Sequence, residues 1–388
     1  MKFDGIRVLD LTQFLPGPTV TLMMADHGAD VIKIESVQAG EPTRTIGQRR
    51  PGQDQTVYFQ NTQRGKRSLT LNLKDDSAKQ IFTRLAATAD VVIESFRPGV
   101  AKRLGVDYEA VRAVKPDIVY ASISAFGQTG PMNQDPAHDL AVQAYCGLLS
   151  CNADANGEPV IPAMPAADML VAAQTLAGIS MALFRRASTG EGDYLDMSMM
   201  DAVLSSMPNS MGAAFGEQRA PTLNHERIWG GAALYKIYAT SDGKHIALGG
   251  SEIKFATNLL NHLGRPDLIE RCKAPPGPEQ FPVMEFLETT FKTKTQAEWV
   301  SELADVDLCF APVNDLRTGL NLPQNSHRNM VIHDEQGHEH LGVAIQFQSE
   351  PGTVNFSAPD LGEHNQTILA ELGYTADEVA NLRSNGTI

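Results

Sequence analysis

Residues 6–35 read IRVLDLTQFLPGPTVTLMMADHGADVIKIE. Ile6–Leu11 is a short apolar run with β-branched content, and Ala29–Glu35 (ADVIKIE) is another. Between them, Thr19–His27 has helical spacing. Strand, helix and strand in so short a space predict a parallel βαβ unit. The pattern repeats outward. Ser68–Leu73 (SLTLNL), Ala89–Glu94 (ADVVIE) and Asp117–Ser124 (DIVYASIS) are similar runs. Asp75–Ala87 and Tyr108–Val114 have helical spacing, and Asp75 and Asp76 supply a cap and favourable charge to the first of these. The expected fold class is α/β, a mostly parallel sheet with helices on its faces. No G-x-G-x-x-G follows the first run, where the chain reads QFLPGP, so the dinucleotide-binding fingerprint is absent.

The chain has 388 residues, which suggests two to three domains. It carries 46 acidic and 32 basic side chains, a formal charge of −14, a poor match to nucleic acid. A 42% hydrophobic share is ample for a packed core. No long charge-free apolar stretch stands out, so no membrane span is expected. MKFDGIRVLDLTQF lacks the features of a secretory signal, and a cytoplasmic location is expected. Cys146, Cys151, Cys272 and Cys309 show no metal-ligand spacing and are expected to be reduced and mostly buried. The histidine-rich HDEQGHEH (333–340) reads as a polar turn about Gly337 rather than a metal site.

Residues 1–206 are expected to form a large α/β domain, 207–229 a linker and 230–312 a smaller α+β domain. Residues 313–330 read as a second linker and 331–388 as a C-terminal tail. Within 1–206, residues 37–60 form a Gly-, Pro-, Gln- and Arg-rich stretch that reads as a long, functional loop. Ala233–Ala239 and His245–Leu248 flank Ser-Asp-Gly-Lys, a hairpin signal. Helical patterns follow at Ile253–Leu263, Pro282–Phe291 and Gln296–Ala304, and two more close the chain at Glu363–Leu372 and Ala376–Arg383.

The most unusual helix is Met169–Phe184, which contains no charge and many Ala and Gly, and reads as a buried central helix. Asp168 stands at its start. It is either an N-cap or a carboxylate poised as nucleophile or base. His138-Asp139 lies in the loop GQTGPMNQDPAHDL. Gly127, in the run Phe126–Pro131, follows an expected strand end, where α/β sheets place ligands. Basic residues cluster near strand ends as Arg64, Lys66, Arg67 and Lys74, and as Arg97, Lys102 and Arg103. Each group reads either as solvated surface or as a polyphosphate site.

Taken in order, VLDLTQFLPGP, GADVIKIE, NTQRGKRSLTLNLK, ADVVIESFRPGVAKRLGV, YASISAFGQTGP, ALFRRASTGEGDYLDMSMMDA, YATSDGKHIALGG and PDLGEHNQTILAELGYTADEVANL resemble the class III CoA-transferases, which include the α-methylacyl-CoA racemases. The resemblance runs from end to end. It implies a Rossmann-like large domain built from both chain ends, an inserted small domain, and an interlocked homodimer. It implies an acyl-CoA thioester as substrate and no permanently bound cofactor. The implied CoA-binding positions are Leu15, Pro16, Leu73, Lys74, Ser95, Phe96, Arg97 and Arg103, with Gly127 beside them. The chain has Ser36 where the family often has Arg, and Ser95 where it often has Asn.

Asp168 falls on the family's catalytic aspartate, and His138 on the His of the racemases' G-H-D motif. Two reactions are implied. In one, Asp168 and His138 exchange the α-proton of a 2-methylacyl-CoA through an enolate. Glu252, in GGSEIKF, matches an E-x-K-F motif in which Glu supports the His. In the other, Asp168 forms an aspartyl–acyl anhydride, helped by helix-start N–H groups, and CoA moves between carboxylic acids. The glycine run that follows the racemases' Asp is missing, and so is the transferases' glycine-rich loop. A third reading is a non-catalytic acyl-CoA binder. Met197, Met199, Met200, Met207 and Met211 read as core or as an adaptable acyl pocket.

Overall fold

In the structure, a computed structural model that describes residues 1–154 and 156–388, the apolar runs of the N-terminal half form one parallel sheet. Its strands are β1 (Arg7–Leu11), β2 (Asp30–Glu35), β3 (Arg67–Thr70), β4 (Val91–Glu94), β5 (Val119–Ser124) and β6 (Asp193–Ser198). They lie in the order β3-β2-β1-β4-β5-β6, that of a doubly wound Rossmann sheet. Every neighbouring pair is parallel, with Val8 opposite both Val31 and Val91. A parallel sheet is covered on both faces, which is why Val8, Leu9, Ile32, Val92 and Val119 are fully buried. β6 was not anticipated. Its sequence DYLDMS carries two charges, and it pairs only with β5 at the sheet edge.

The chain divides into two units. The larger comprises Met1–Cys146, Ala163–Ser206 and Pro323–Ile388. The smaller comprises Gly147–Pro162 and Met207–Leu322. The sequence had assigned all of 1–206 to the large domain. Gly147–Pro162 instead clusters with the smaller unit, closed on itself by the Val160 N–H to Asn152 carbonyl bond (2.8 Å). The stretch 207–229, expected as a linker, also belongs to the smaller unit.

In the larger unit, Pro16 opens the helix Pro16–Asp26 with its fixed φ. Asp75 caps Asp76–Ala86 by accepting the Ser77 N–H (2.9 Å). The C-terminal segment returns to this core. The Asn365 side chain accepts from the Thr70 N–H (2.9 Å) and donates to its hydroxyl (2.7 Å). Ile368, Leu369, Val379 and Ile388 pack with Leu69, Phe82 and Leu85.

The central helix runs over Ala166–Thr189, longer than the charge-free stretch alone. It continues through Arg185 and Arg186, because Arg186 reaches Asp90 at 2.8 Å, and it ends at Gly190 (φ 74°). By length and composition it could cross a membrane, against the expectation from sequence. Here it packs on Pro16–Asp26, β5 and β6, while Met181 and Phe184 on another face are 70% and 83% exposed.

The smaller unit holds an antiparallel sheet of Tyr235–Ala239, His245–Gly249 and Phe310–Pro312. The helices Ile253–His262, Phe281–Phe291 and Gln296–Glu302 cover it around buried Trp299. The 333–340 segment is a turn between antiparallel Val331–His333 and Glu339–Leu341, with Gly337 at φ 83°. Among the described residues no group of three His, Cys, Asp or Glu side chains is arranged to hold a metal. The cysteines are less buried than expected: Cys309 is exposed and the other three are half-buried.

Candidate active site

Asp168 is the third residue of the central helix, not its N-cap. Pro165 takes the cap position and offers no side-chain acceptor. The cap is supplied from elsewhere. Asp139 Oδ1 accepts the N–H groups of Ala167 (2.8 Å) and Asp168 (3.3 Å), and Asp139 Oδ2 accepts from Gln143 Nε2 (2.7 Å). A carboxylate at a helix start satisfies orphan donors and complements the helix dipole. It also places a negative charge beside Asp168. Burial first, and the Asp139 charge second, push the Asp168 carboxyl up from 3.8 to about 7. Two of the helix-start N–H groups that the sequence offered as an oxyanion site, those of Ala167 and Asp168, are therefore already engaged by Asp139.

His138 precedes Asp139 in extended backbone, just before the helix Asp139–Tyr145. The Asp139 bonds thus hold the His138 segment against the start of the helix that carries Asp168. The exposed His138 imidazole meets the Phe14 ring edge-on, with centroids 5.6 Å apart and planes at 81°. Tyr58 was not singled out from sequence. Burial, then the charges of Asp168 and Glu41, push its phenol up to about 12, so it stays a proton donor beside Asp168.

The carboxyl ends of β1 to β4 open on a cavity of about 550 Å³. Leu73, Lys74 and Phe96 line it, as do Gln13, Ser36 and Leu104. Leu15, Pro16, Ser95, Arg97, Arg103 and Gly127 do not line this cavity. Leu15 and Pro16 begin the first helix, and Ser95 Oγ accepts the Gln13 N–H (3.0 Å). Gly127 has φ 83°, and the next N–H donates to Asp196 (3.0 Å). Arg97 and Arg103 are exposed on the segment after β4. Among the described residues Lys74, Arg97, Lys102 and Arg103 form no salt bridge, although the chain carries an excess of acids. Such unpaired cations suit a polyanion.

The first basic cluster reads differently in the structure. Arg64 is buried against Asp26 (2.8 Å), Lys66 against Asp10 (3.1 Å), and Arg67 pairs with Asp30 (2.6 Å) and Glu371 (2.6 Å). These three are consumed inside the fold. Burial resists ionisation of Asp10, but Lys33, Lys66 and the hydroxyls of Thr12 and Thr21 outweigh it and hold its carboxyl well below the usual range. Lys66 is itself pushed down to about 8, chiefly by burial. Glu94, at the end of β4, was also missed. Burial raises it to about 7 against the opposing bonds from Ser122 and the Phe96 N–H.

Glu252 belongs to the smaller unit. It takes the N-cap position of Ile253–His262, exposed and without a capping bond. The methionines divide: Met197, Met199 and Met200 lie in the larger unit, Met207 and Met211 in the smaller.

Residues 3–365 match CoA-transferase family III, and the chain belongs to that family. It is 33% identical to the acetyl-CoA:oxalate CoA-transferase of Acetobacter aceti, over 85% of this chain and 85% of that protein. It is 31% identical to the human alpha-methylacyl-CoA racemase, over 100% of this chain and 98% of that protein. A CAIB/BAIF family protein from Brucella suis has a similar structure, with a TM-score of 0.83 at 30% identity, covering 95% of this chain and 99% of that one. The chain is thus an enzyme of a family whose members include both CoA-transferases and racemases.

Proposed function

We propose that the protein moves the α-proton of a 2-methylacyl-CoA and so interconverts its epimers, with Asp168 and His138 as the two bases. The observation that carries this reading is the environment of Asp168. A carboxyl raised to about 7 is matched to proton transfer near neutral pH. The same Asp139 that raises it occupies the N–H groups of Ala167 and Asp168, two of those at the helix start that an anhydride route would use to hold its oxyanion.

Neutral His138 takes the α-proton on a ring nitrogen, and the C–H electron pair becomes the thioester enolate. Protonated Asp168 then delivers its proton to the opposite face of the α-carbon. The reverse direction starts from ionised Asp168 and imidazolium. Tyr58, kept protonated, donates hydrogen bonds to the charge that forms nearby.

CoA takes the cavity at the sheet's carboxyl edge, against Leu73 and Phe96. Lys74, Arg97, Lys102 and Arg103 hold its phosphates, with Leu15, Pro16, Ser95 and Gly127 flanking its path. No permanently bound cofactor is needed for this chemistry. A second copy of the chain, interlocked with the first, covers the exposed Met181 and Phe184.

A second reading is CoA transfer through an anhydride at Asp168, favoured by the likeness to the oxalate transferase. Hydroxylamine separates the two. With acyl-CoA and no acceptor acid, the epimerase gives no trapped acyl group and no free CoA. Release of CoA together with an acyl hydroxamate, abolished by Asp168→Asn, would establish transfer instead. An acyl-CoA binder would do neither and would bind equally well as Asp168→Asn.

A further inference from the structure

The loop between β1 and the first helix contains a residue in an unfavourable conformation. Phe14 has φ 64°, in the left-handed region where a bulky side chain is rare and glycine is at ease. Such conformations persist only where the surroundings over-determine them. Here the surroundings are buried charges. The Phe14 N–H donates to Glu41 Oε1 at 2.8 Å. Glu41 is 1% exposed and also accepts from the Thr43 hydroxyl (3.3 Å). Its other carboxylate oxygen stands 3.2 Å from Lys33 Nζ. Lys33 is 2% exposed, pairs with Asp10 at 3.3 Å, and donates to the Thr12 carbonyl in the same loop. On the other side, Ser95 Oγ receives the Gln13 N–H at 3.0 Å. The loop is therefore pinned at Thr12, Gln13 and Phe14.

What this conformation achieves is the contact with His138. Among the described residues no hydrogen bond to the exposed His138 imidazole is formed, and its ring contact is the T-shaped one with Phe14. An exposed imidazole without a hydrogen-bond partner samples several rotamers unless packing holds it. If Phe14 relaxed to negative φ, its N–H would leave Glu41 and its ring would leave His138. The strain is thus coupled to the orientation of one side chain at the candidate active site.

We infer that Phe14 and Glu41 are positioning residues for His138: the buried Glu41 carboxylate fixes Phe14 in the left-handed region, and that conformation sets the Phe14 ring against the imidazole. The catalytic part of this inference rests on the base role proposed for His138. The orienting part does not.

The test uses the full-length protein with ¹³C-labelled histidine. The ring signals of His138 are assigned by their loss in His138→Gln. Phe14→Gly suits the backbone conformation, so melting temperature is expected to hold or rise. The His138 ring signals are expected to move as the edge contact is lost, and Glu41→Gln is expected to move them the same way. Phe14→Tyr is expected to restore them. Unmoved His138 signals in Phe14→Gly would overturn the inference, whatever reaction the protein performs. In the exchange assay, Phe14→Gly is expected to lower kcat about tenfold with KM within about twofold, the pattern of a misaimed base. Phe14→Tyr is expected to recover most of that rate. Ring signals that respond as expected in a protein without α-proton exchange would refute the epimerase and leave the positioning intact. Exchange with unchanged kcat in Phe14→Gly would refute the catalytic role of the positioning.

Discussion

Replacing Asp168 by Asn is expected to abolish activity and to stabilise the protein, by more at pH 8 than at pH 5. The raised carboxyl titrates near 3.8 in an unfolded chain and at about 7 in the fold. Between these values the unfolded chain has released a proton that the folded chain still holds. Raising the pH therefore favours unfolding, by about 1.4 kcal/mol per pH step. At pH 5 the cost is roughly 2 kcal/mol, and above pH 7 it levels off at about 4 kcal/mol. Those figures are upper bounds, because the carboxyl is only partly shielded from water. Asn has nearly the shape of the protonated acid and does not titrate, so it removes the pH-dependent cost. Urea unfolding of both proteins from pH 4.5 to 8.5 measures the difference. The substituted protein should gain on the parent with rising pH, and the gain should flatten above about pH 7. Parallel pH profiles, or a gain that grows toward acid, would refute a raised Asp168.

Three other outcomes are expected. Asp139→Asn removes one of the two causes that raise Asp168, so in the direction in which protonated Asp168 delivers the proton the alkaline limb of the kcat/KM pH profile should move to lower pH, as measured by exchange rates across pH 5–9. Charge reversal at Lys74 or Arg103 should raise KM for acyl-CoA about tenfold or more with kcat little changed, and the effect should shrink as salt is raised in steady-state assays. Leu369→Ala empties part of the core where the C-terminal segment packs, and should cost about 2–5 kcal/mol in urea unfolding without altering the reaction.

The sheet was legible because parallel strands, buried on both faces, read as continuous apolar runs such as DVIKIE and VVIE. β6 was not, because an edge strand tolerates Asp193 and Asp196 and loses that signature. Asp168 and His138 stood out through motif and resemblance, but their environment did not. Asp139 caps a helix 28 residues further on, a contact that no local rule encodes. Arg64 and Lys66 stayed open between solvated surface and a phosphate site because sequence shows charge and not its partners, and Asp26 and Asp10 already hold them. Phe14 carried no signal, since its conformation depends on Glu41 folding back across the loop.

The central claim, that Asp168 and His138 exchange an α-proton, is tested most directly in D₂O. The protein is incubated with a single epimer of a 2-methylacyl-CoA and no acceptor acid, and the α-position is followed by NMR. The account predicts deuterium at the α-carbon together with the opposite epimer, both lost in Asp168→Asn and in His138→Gln. An α-proton that stays in place, in a protein that nevertheless exchanges CoA between its thioester and added acid, would contradict it.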